Sequence, residues 1–268
     1  MPELPEVETV VRQLRPMLVG QRIQGVRILD AKLSGDYRPI TGALIEDVQR
    51  EGKQILLCLK GRKGPHWLAV HLRMTGRLQL ASFASENSQR FLRAEFSLGS
   101  DRLQFSDTRR FGTLILAGSR DDLAAPGVDP TGPAFTTTRL AALLNGSRSP
   151  LKTWLLRQDR ITGIGNIYAC EILFESGLHP FRAAGSLEPD EIKRLHTSTR
   201  RVLRRAIKAC GTTFDSFQDA RGVEGSYQRY LKVYGRTGEY CGVCATPIER
   251  IIMQQRGTWW CPRCQPVR

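Results

Sequence analysis

The sequence predicts an α+β protein, in which an N-terminal antiparallel β-sandwich with a flanking helix precedes a helical region and a short C-terminal β-hairpin. Three features of the chain favour this architecture. Short apolar or alternating runs, separated by Gly, Asp and Ser, fill residues 26–116, as is typical of antiparallel strands. Apolar residues at helical spacing dominate residues 138–210, and four of the seven cysteines follow residue 240.

Residues 5–18 form the first predicted element, an amphipathic helix close behind the N-terminus. Pro5 lies where a first helical turn tolerates proline, and apolar residues follow it at intervals of three and four. The strand patterns come next along the chain. They lie at Val26–Leu29, Ile55–Leu59, Trp67–Leu72, Leu78–Leu80, Ala94–Leu98, Leu103–Phe105 and Thr113–Leu116.

A segment rich in Pro and Gly, PGVDPTGP at 126–133, predicts a linker in the middle of the chain. Residues 212–230 show no periodic pattern and predict a long loop, which in a compact protein is usually a lid or a disordered segment. These features divide the chain into three predicted domains, 1–130, 131–230 and 231–268. The helical patterns lie at Thr138–Leu144, Leu151–Leu156, Asn166–Ser176 and Pro189–Cys210.

The charge of the chain favours a polyanionic partner. Its 268 residues contain 40 Lys plus Arg against 26 Asp plus Glu, which gives a formal charge of +14. A hydrophobic content of 41% is enough to bury a core and argues against a disordered protein. An excess of basic residues is often only a solvated surface, but Lys and Arg gain free energy of counterion release on phosphates, so nucleic acid is the expected partner.

The sequence argues against a membrane protein or a secreted one. No run approaches the roughly eighteen uncharged apolar residues of a membrane span. The N-terminus, MPELPEVETV, carries acidic residues where a signal peptide carries a basic and then an apolar segment. We therefore expect a cytoplasmic location without membrane contact.

The C-terminal cysteines have the spacing of a zinc ribbon. Cys241-x-x-Cys244 and Cys261-x-x-Cys264 are separated by sixteen residues, so a hairpin can bring four thiolates to the corners of a tetrahedron around Zn²⁺. Two disulfides are the alternative, which the absence of a signal peptide disfavours. Four thiolates leave no open coordination position, so the predicted cofactor is one structural Zn²⁺.

The N-terminus itself is a candidate nucleophile. Removal of Met1 ahead of the small residue Pro2 would leave a secondary amine, followed by Glu3 and, one helical turn later, Glu6. Such an amine has a usable neutral fraction at physiological pH, and its attack on an aldehyde-level carbon gives a cationic iminium. The alternative is a disordered start whose acids stabilise a helix N-terminus.

Two turns each follow a strand pattern and end in Gly: HLRMTG at 71–76, which begins with His71, and DTRRFG at 107–112. Met74 and Phe111 in these turns are core residues by composition. Alternatively, they are wedges that unstack a duplex, with Arg109 holding a phosphate or an orphaned base.

A third pattern is Gly163-Ile164-Gly165-Asn166, between two helical segments. Two glycines ahead of a helix leave backbone N–H groups open to an anion, and Asn166 is in place to cap the helix. Lys152, upstream near another helix start, is open to several interpretations on its own.

Together these motifs resemble one family over essentially the whole chain. MPELPEVETV, HLRMTG, DTRRFG, LKTWLL followed by GIGNIY, VYGRTGEYC and QQRGTWWCPRC occur in the order found in formamidopyrimidine-DNA glycosylases. The related endonuclease VIII branch usually begins PEGPE, so PELPEVET favours the branch that acts on oxidised purines. The resemblance implies a helix-two-turn-helix domain between the sandwich and the zinc ribbon.

The resemblance also implies a bifunctional base-excision enzyme that removes oxidised purines and nicks the strand by β,δ-elimination. Pro2 matches the nucleophile that attacks the sugar, Glu3 the general acid and Glu6 a supporting carboxylate. Lys53 matches a lysine that contacts phosphate and assists elimination, and Arg256 matches a helper of the second elimination that also contacts phosphate.

The implied DNA contacts come from both halves of the chain. Met74, Arg109 and Phe111 match the residues that fill the hole left by a flipped base. Lys152 matches a lysine tied to recognition of the oxidised purine, and residues 212–230 match the lesion-capping loop. The remaining implied DNA contacts are Asn166, Tyr234, His71 and Arg90, the last replacing a family histidine.

The partner implied is double-stranded DNA with oxidised purines or abasic sites, bound by a bacterial, cytoplasmic monomer. Two alternatives share the basic features. A non-catalytic zinc-ribbon protein that binds damaged DNA would need neither Pro2 nor Glu3, and an endonuclease VIII-like enzyme would act on oxidised pyrimidines.

Overall fold

The computed structural model describes residues 2–84, 86–214 and 217–267. The chain divides into two units, one of residues up to Ala124 with Ala209–Gln228, the other of Ala125–Lys208 with Arg229–Arg268. The predicted domain bounds 1–130, 131–230 and 231–268 stay a prediction. The two units differ from those bounds, because 209–228 groups with the N-terminal part and the cysteine-rich end groups with the helices.

The first unit contains two antiparallel sheets that share one core. Its strands are β1 (Gly25–Ile28), β2 (Leu44–Glu51), β3 (Gln54–Gly61), β4 (Gly64–His71), β5 (Gly76–Leu80), β6 (Leu92–Leu98), β7 (Asp101–Asp107) and β8 (Thr113–Ala117). The strand orders are β1-β6-β7-β5 and β2-β3-β4-β8. Apolar side chains from both sheets form one buried cluster, which confirms the predicted sandwich.

Strand β2 is the one strand of this sandwich that the sequence analysis missed. Its register shifts between Ile45 and Asp47 against β3, as in a β-bulge. The extra residue breaks the alternation of buried and exposed side chains on which a strand prediction depends.

Helix α1 (Leu4–Leu18) confirms the predicted amphipathic helix. Pro5 lies in its first turn, where a missing N–H costs nothing. The side chains of Val7, Val10 and Leu14 are almost fully buried in the sandwich core. The helix therefore holds the N-terminus of the chain against the sandwich.

The second unit contains four helices and one hairpin among its described residues. These are α3 (Thr137–Leu144), α4 (Leu151–Leu155), α5 (Asn166–Ser176), α6 (Pro189–Lys208) and the antiparallel strands β9 (Glu249–Met253) and β10 (Arg256–Trp260). A short helix, α2 (Glu86–Arg90), belongs to the first unit. Along the described chain, no helix is both long enough and apolar enough to span a bilayer.

Six short 3₁₀ turns complete the described secondary structure. They lie at Ala31–Leu33, Arg38–Ile40, Ala81–Phe83, Asp121–Leu123, Ala184–Ser186 and Tyr227–Tyr230.

The predicted loop 212–230 packs partly on the first unit. Phe217 and Ala220 join the sandwich core. The Gln13 side chain of α1 donates to the Asp219 carboxylate at 2.7 Å and accepts from the Ala220 N–H at 3.0 Å. Gln79 donates to the Asp219 carbonyl at 2.9 Å. These contacts fasten the middle of the loop to α1 and β5.

Candidate functional site

The N-terminal residues Pro2, Glu3 and Glu6 lie together at the start of α1, and all three are buried. One oxygen of Glu6 accepts from the Glu3 N–H at 2.8 Å, and the other accepts from the Thr212 N–H at 2.7 Å. Gly211 has φ +80°, and a Cβ there would lie 2.7 Å from the Glu6 carboxylate. Glu6 therefore ties the start of α1 to the base of the 212–230 loop, a geometry that favours a positioning role.

Lys53 and His71 lie at the ends of neighbouring strands of one sheet. Lys53 is in the turn between β2 and β3, and His71 ends β4 opposite Gln54. The His71 Nδ1 accepts from the Arg73 N–H at 3.0 Å. Burial, followed by the charges of Arg73 and Lys53, lowers the pKa of His71 from 6.5 to about 4. His71 is therefore neutral at physiological pH, and only its other ring nitrogen can donate to a ligand.

We expect this lowered pKa of His71 to make folding stability depend on pH. The unfolded chain protonates this histidine near pH 6.5, whereas the folded protein resists protonation until about pH 4. Its contribution to stability is therefore present above pH 6.5 and is lost as the pH falls toward 4. An NMR titration of the ring protons checks this, with His71→Gln to identify the resonance. The His71→Gln variant should lose less folding stability than the parent as the pH falls from 6.5 to 4. A measured pKa near 6.5 for the His71 ring would contradict the expectation.

The turns at 71–76 and 107–112 are joined by one buried carboxylate, Asp107. It accepts from the Thr75 hydroxyl and from the N–H groups of Arg109 (3.1 Å), Phe111 (2.9 Å) and Gly112 (2.8 Å). Sequence reasoning did not single out this residue as a positioning group. A side chain that is 1% exposed and satisfies three backbone donors holds both turns in fixed conformations.

The side chains carried by these turns point into solvent. Met74 is 39% exposed and Phe111 is 49% exposed, so the interpretation of these two residues as core is wrong. The guanidinium of Arg109 lies over the Phe111 ring, 4.9 Å from its centroid. Two large apolar side chains held outside the core on rigid turns are available to a partner.

Arg110 fixes the turn at 107–112 through a contact with Asp30. It has φ +56° and makes two hydrogen bonds to the Asp30 carboxylate, at 2.7 and 2.6 Å. Hydrogen bonding to Arg110 lowers the pKa of Asp30 to about 2, although burial acts in the opposite direction. The pair fixes the Arg110 side chain against Asp30.

Arg90, at the end of α2, is exposed. Its guanidinium lies 5.5 Å from the centroid of the Phe91 ring. No described contact joins Arg90 to the turns or to the N-terminus, so its assignment to DNA stays a prediction.

In the second unit, Lys152 and Asn166 both contact one backbone carbonyl, that of Gly257, the residue after Arg256. The Lys152 ammonium donates to the Gly257 carbonyl at 2.8 Å and to the Thr258 hydroxyl at 2.7 Å. The Asn166 amide donates to the same Gly257 carbonyl at 3.1 Å. Arg256, one residue earlier at the start of β10, is exposed. Lys152 is only 1% exposed, so it supports the hairpin that carries Arg256.

Asn166 does not cap its helix, contrary to prediction. The residue at the N-cap of α5 is Gly165, and Asn166 is the first residue inside the helix. Glycine is among the residues that are common at helix N-caps. The Asn166 Oδ1 is buried and has no hydrogen-bond partner among the described residues.

Tyr234 is positioned by a second buried carboxylate, Glu171 of α5. Glu171 accepts from the N–H groups of Lys232 (2.8 Å), Val233 (3.0 Å) and Tyr234 (2.9 Å). Burial raises the pKa of Glu171, and the three backbone donors act against this. The Tyr234 ring packs on Trp259, with 4.4 Å between centroids. Sequence reasoning missed Glu171, although a single acid within the apolar run NIYACEILF was a usable signal.

The four C-terminal cysteines form a candidate metal centre. Their sulfur atoms all lie within 4.8 Å of one another. The Cys244–Cys261 pair is 3.4 Å apart and the Cys241–Cys264 pair 3.9 Å, far longer than the roughly 2 Å of a disulfide. Four converging thiols and no disulfide fit a closed tetrahedral Zn²⁺ site.

Comparison with known proteins agrees with this geometry. Family models described as Formamidopyrimidine-DNA glycosylase N-terminal domain, Formamidopyrimidine-DNA glycosylase H2TH domain and Zinc finger found in FPG and IleRS match residues 1–114, 126–218 and 238–267. The chain is 43% identical over 279 residues to the formamidopyrimidine-DNA glycosylase of Symbiobacterium thermophilum, covering 100% of this chain and 90% of that protein. The chain belongs to the formamidopyrimidine-DNA glycosylase family.

Solved structures of this family have the same fold. A Lactococcus lactis Fpg variant in complex with DNA containing Fapy-dG is 32% identical, covers 99% of this chain and 100% of that chain, and has a TM-score of 0.89. The Lactococcus lactis Fpg in complex with DNA containing an abasic site has the same identity, coverage and TM-score. The chain is thus an Fpg-type DNA glycosylase of base excision repair, with a C-terminal zinc finger whose four cysteines hold one structural Zn²⁺.

Proposed function

We propose that this chain removes oxidised purines from duplex DNA and then cleaves the strand at the resulting abasic site, with Pro2 as the nucleophile. The observation that carries the proposal is the N-terminus, where the Glu6 carboxylate holds the Glu3 backbone at the start of α1, next to the buried Pro2. A non-catalytic DNA-binding protein would need neither Pro2 nor Glu3. Removal of Met1 would free the Pro2 nitrogen for attack.

The reaction begins with extrusion of the damaged nucleotide, since a glycosidic bond inside a duplex is out of reach of a protein amine. The Pro2 nitrogen then bonds to the sugar C1′ as the bond to the base breaks. The base leaves with that electron pair and is protonated, while the Pro2 nitrogen, now cationic, gives up its N–H proton. Glu3 donates a proton to the ring oxygen as the sugar opens. The product is an iminium between the Pro2 nitrogen and C1′.

Strand cleavage follows from the positive charge of this iminium. The charge acidifies the C2′ hydrogen, and loss of that proton expels the 3′ phosphate by β-elimination. In a second elimination the C4′ hydrogen is lost as a proton and the 5′ phosphate is expelled, and water then hydrolyses the iminium to release the sugar fragment. Lys53 and Arg256 are proposed to assist the eliminations beside the phosphates.

DNA binding is proposed to involve both units. Met74, Arg109 and Phe111 fill the space that the extruded nucleotide leaves, which offsets the cost of lost stacking. The exposure of these side chains on turns fixed by Asp107 supports this role. Asn166, Arg256 and Tyr234 are proposed to contact phosphates. The structural Zn²⁺ maintains the fold of the hairpin that carries Arg256.

A panel of lesion duplexes tests the proposed function. We expect excision of 8-oxoguanine and formamidopyrimidine, and cleavage at a preformed abasic site that leaves phosphate on both flanking ends. Faster excision of thymine glycol than of 8-oxoguanine would instead assign the chain to oxidised pyrimidines. Tight binding to all duplexes without any excision would assign it to the non-catalytic class.

The wedge role predicts mutants that are stable but impaired. A buried Phe or Met replaced by Ala costs about 2–5 kcal/mol of folding free energy, whereas an exposed one costs little. Phe111→Ala and Met74→Ala should therefore melt within a few degrees of the parent. Their single-turnover excision from a paired duplex should fall by on the order of tenfold to a hundredfold, and cleavage of an abasic site should fall less, because less stacking must be broken.

Ile115→Ala is the matched control for these wedge variants. Ile115 on β8 is 49% exposed, the same fraction as Phe111, and we expect its removal to change neither rate. Equal damage to both rates, together with a large loss of melting temperature, would contradict the wedge role.

A further inference from the structure

The outer face of α6 carries a continuous stripe of positive charge. The helix has seven basic residues and two acidic ones, and both acids, Asp190 and Glu191, lie in its first turn. Its opposite face is buried through Leu195, Val202 and Leu203. The basic residues from position 193 onward therefore gather on the solvent side of the helix.

Four arginines of this stripe surround one open groove. Its lining consists of Thr197, Arg200, Arg201, Arg204 and Arg205, which recur at three- and four-residue intervals along a single helix face. We call this surface the α6 arginine groove. A single side-chain hydroxyl among four guanidinium groups favours a ligand that is anionic and rich in acceptor oxygens.

The negative charge near this groove is too small to neutralise it. Glu175 of α5 contacts Arg201 at 2.9 Å and Arg205 at 3.5 Å, so one carboxylate serves two guanidinium groups. Arg204 forms no ion pair within the described chain. Basic residues near a helix C-terminus also stabilise the helix dipole, but that effect is confined to the last turn and does not account for Arg200 and Arg201.

We propose that the α6 arginine groove binds the phosphate backbone of lesion-free duplex DNA, as a second DNA surface distinct from the lesion site. None of the residues proposed above to contact DNA lies on α6. The eight-residue step from Arg200 to Lys208 rises about 12 Å along the helix, a length that spans about three to four phosphates of one DNA strand. Since such contacts carry no sequence information, the groove serves non-specific binding during the search for damage.

The inference rests on the proposed function only in taking duplex DNA as the polyanion. Its test measures binding to DNA without any lesion, so it does not depend on excision by Pro2. The variant is the double substitution Arg200→Gln and Arg204→Gln, which retains helix-forming side chains. The matched control is Arg62→Gln with Lys63→Gln, which removes the same charge from exposed positions in the turn between β3 and β4.

The measurement is the dissociation constant for a lesion-free duplex of about 60 base pairs over a range of salt concentrations. Each phosphate contact contributes about 0.9 to the slope of log K against log salt, so the groove variant should lower the slope by nearly 2. The control should leave the slope within about 0.5 of the parent value. Single-turnover excision from a short lesion duplex at saturating enzyme should be unchanged in both variants.

Four results would overturn the inference. An unchanged slope in the groove variant would mean that the arginines are only a solvated face. An equal fall in the control would mean that net charge, and not the groove, sets the binding. A fall limited to single-stranded DNA, or a loss of excision from the short duplex, would assign the groove to another ligand or to the lesion site itself.

Discussion

Replacing Cys244 with Ser should lower DNA binding and base excision together while the first unit stays folded. Zinc contributes about 10–16 kcal/mol to the folding of small zinc modules. With only three thiolates left, much of this folding free energy is lost. The hairpin β9–β10 carries Arg256, and its Gly257 carbonyl accepts hydrogen bonds from Lys152 and Asn166. Unfolding the hairpin therefore removes Arg256 and leaves the buried Lys152 ammonium without the Gly257 carbonyl and the Thr258 hydroxyl.

The expected loss of affinity for a lesion duplex is large. Two hydrogen bonds from the Arg256 guanidinium to phosphate are worth about 3–6 kcal/mol in total. Their loss corresponds to a fall in affinity of about a hundredfold to a ten-thousandfold. Zinc content by mass spectrometry, binding and single-turnover excision are measured on the same preparation. Cys58→Ser is the control, because Cys58 lies in β3 outside the four-cysteine cluster, and it should retain zinc and binding. Normal binding with lost excision in Cys244→Ser would contradict a purely structural metal.

One extra residue ahead of Pro2 should abolish base excision. A peptide bond converts the Pro2 amine into an amide, whose nitrogen no longer has a free electron pair for attack. Loss of a covalent nucleophile costs several orders of magnitude in rate, and we expect a fall of at least about a thousandfold. A removable N-terminal tag gives the matched control, since cleavage to expose Pro2 should restore the rate in the same protein. Comparable rates before and after cleavage would exclude Pro2 as the nucleophile.

The strands of the sandwich and the zinc site were predictable from the sequence, because each depends on the types and spacing of residues close together in the chain. The strands of the sandwich are short apolar or alternating runs bounded by turn residues, and the spacing of the four cysteines predicts their ligand geometry. Strand β2 was missed because a bulge near Asp47 interrupts its alternation. The cap of α5 was assigned to Asn166 because sequence alone does not show where the first helical turn begins.

The supporting residues of the site were the least predictable. Asp107 and Glu171 are acids, which sequence reasoning places on the surface, and only the fold shows that each is buried against three backbone N–H groups. The role of Lys152 in recognising the oxidised purine stays a prediction, and the fold adds a contact that the sequence did not indicate, from its buried ammonium to the Gly257 carbonyl. The hydrogen-bond partners of these residues are distant in sequence or lie in turns, so a sequence pattern does not indicate the contacts.

Borohydride trapping with peptide mapping tests the central claim most directly. The protein is incubated with a duplex that carries 8-oxoguanine, reduced with borohydride, digested and analysed by mass spectrometry. The account predicts that the sugar fragment is attached to the nitrogen of Pro2, in the peptide that begins PELPEVETVVR, and that the tagged protein gives no adduct. An adduct on a lysine, or trapping that survives the blocked N-terminus, would contradict it.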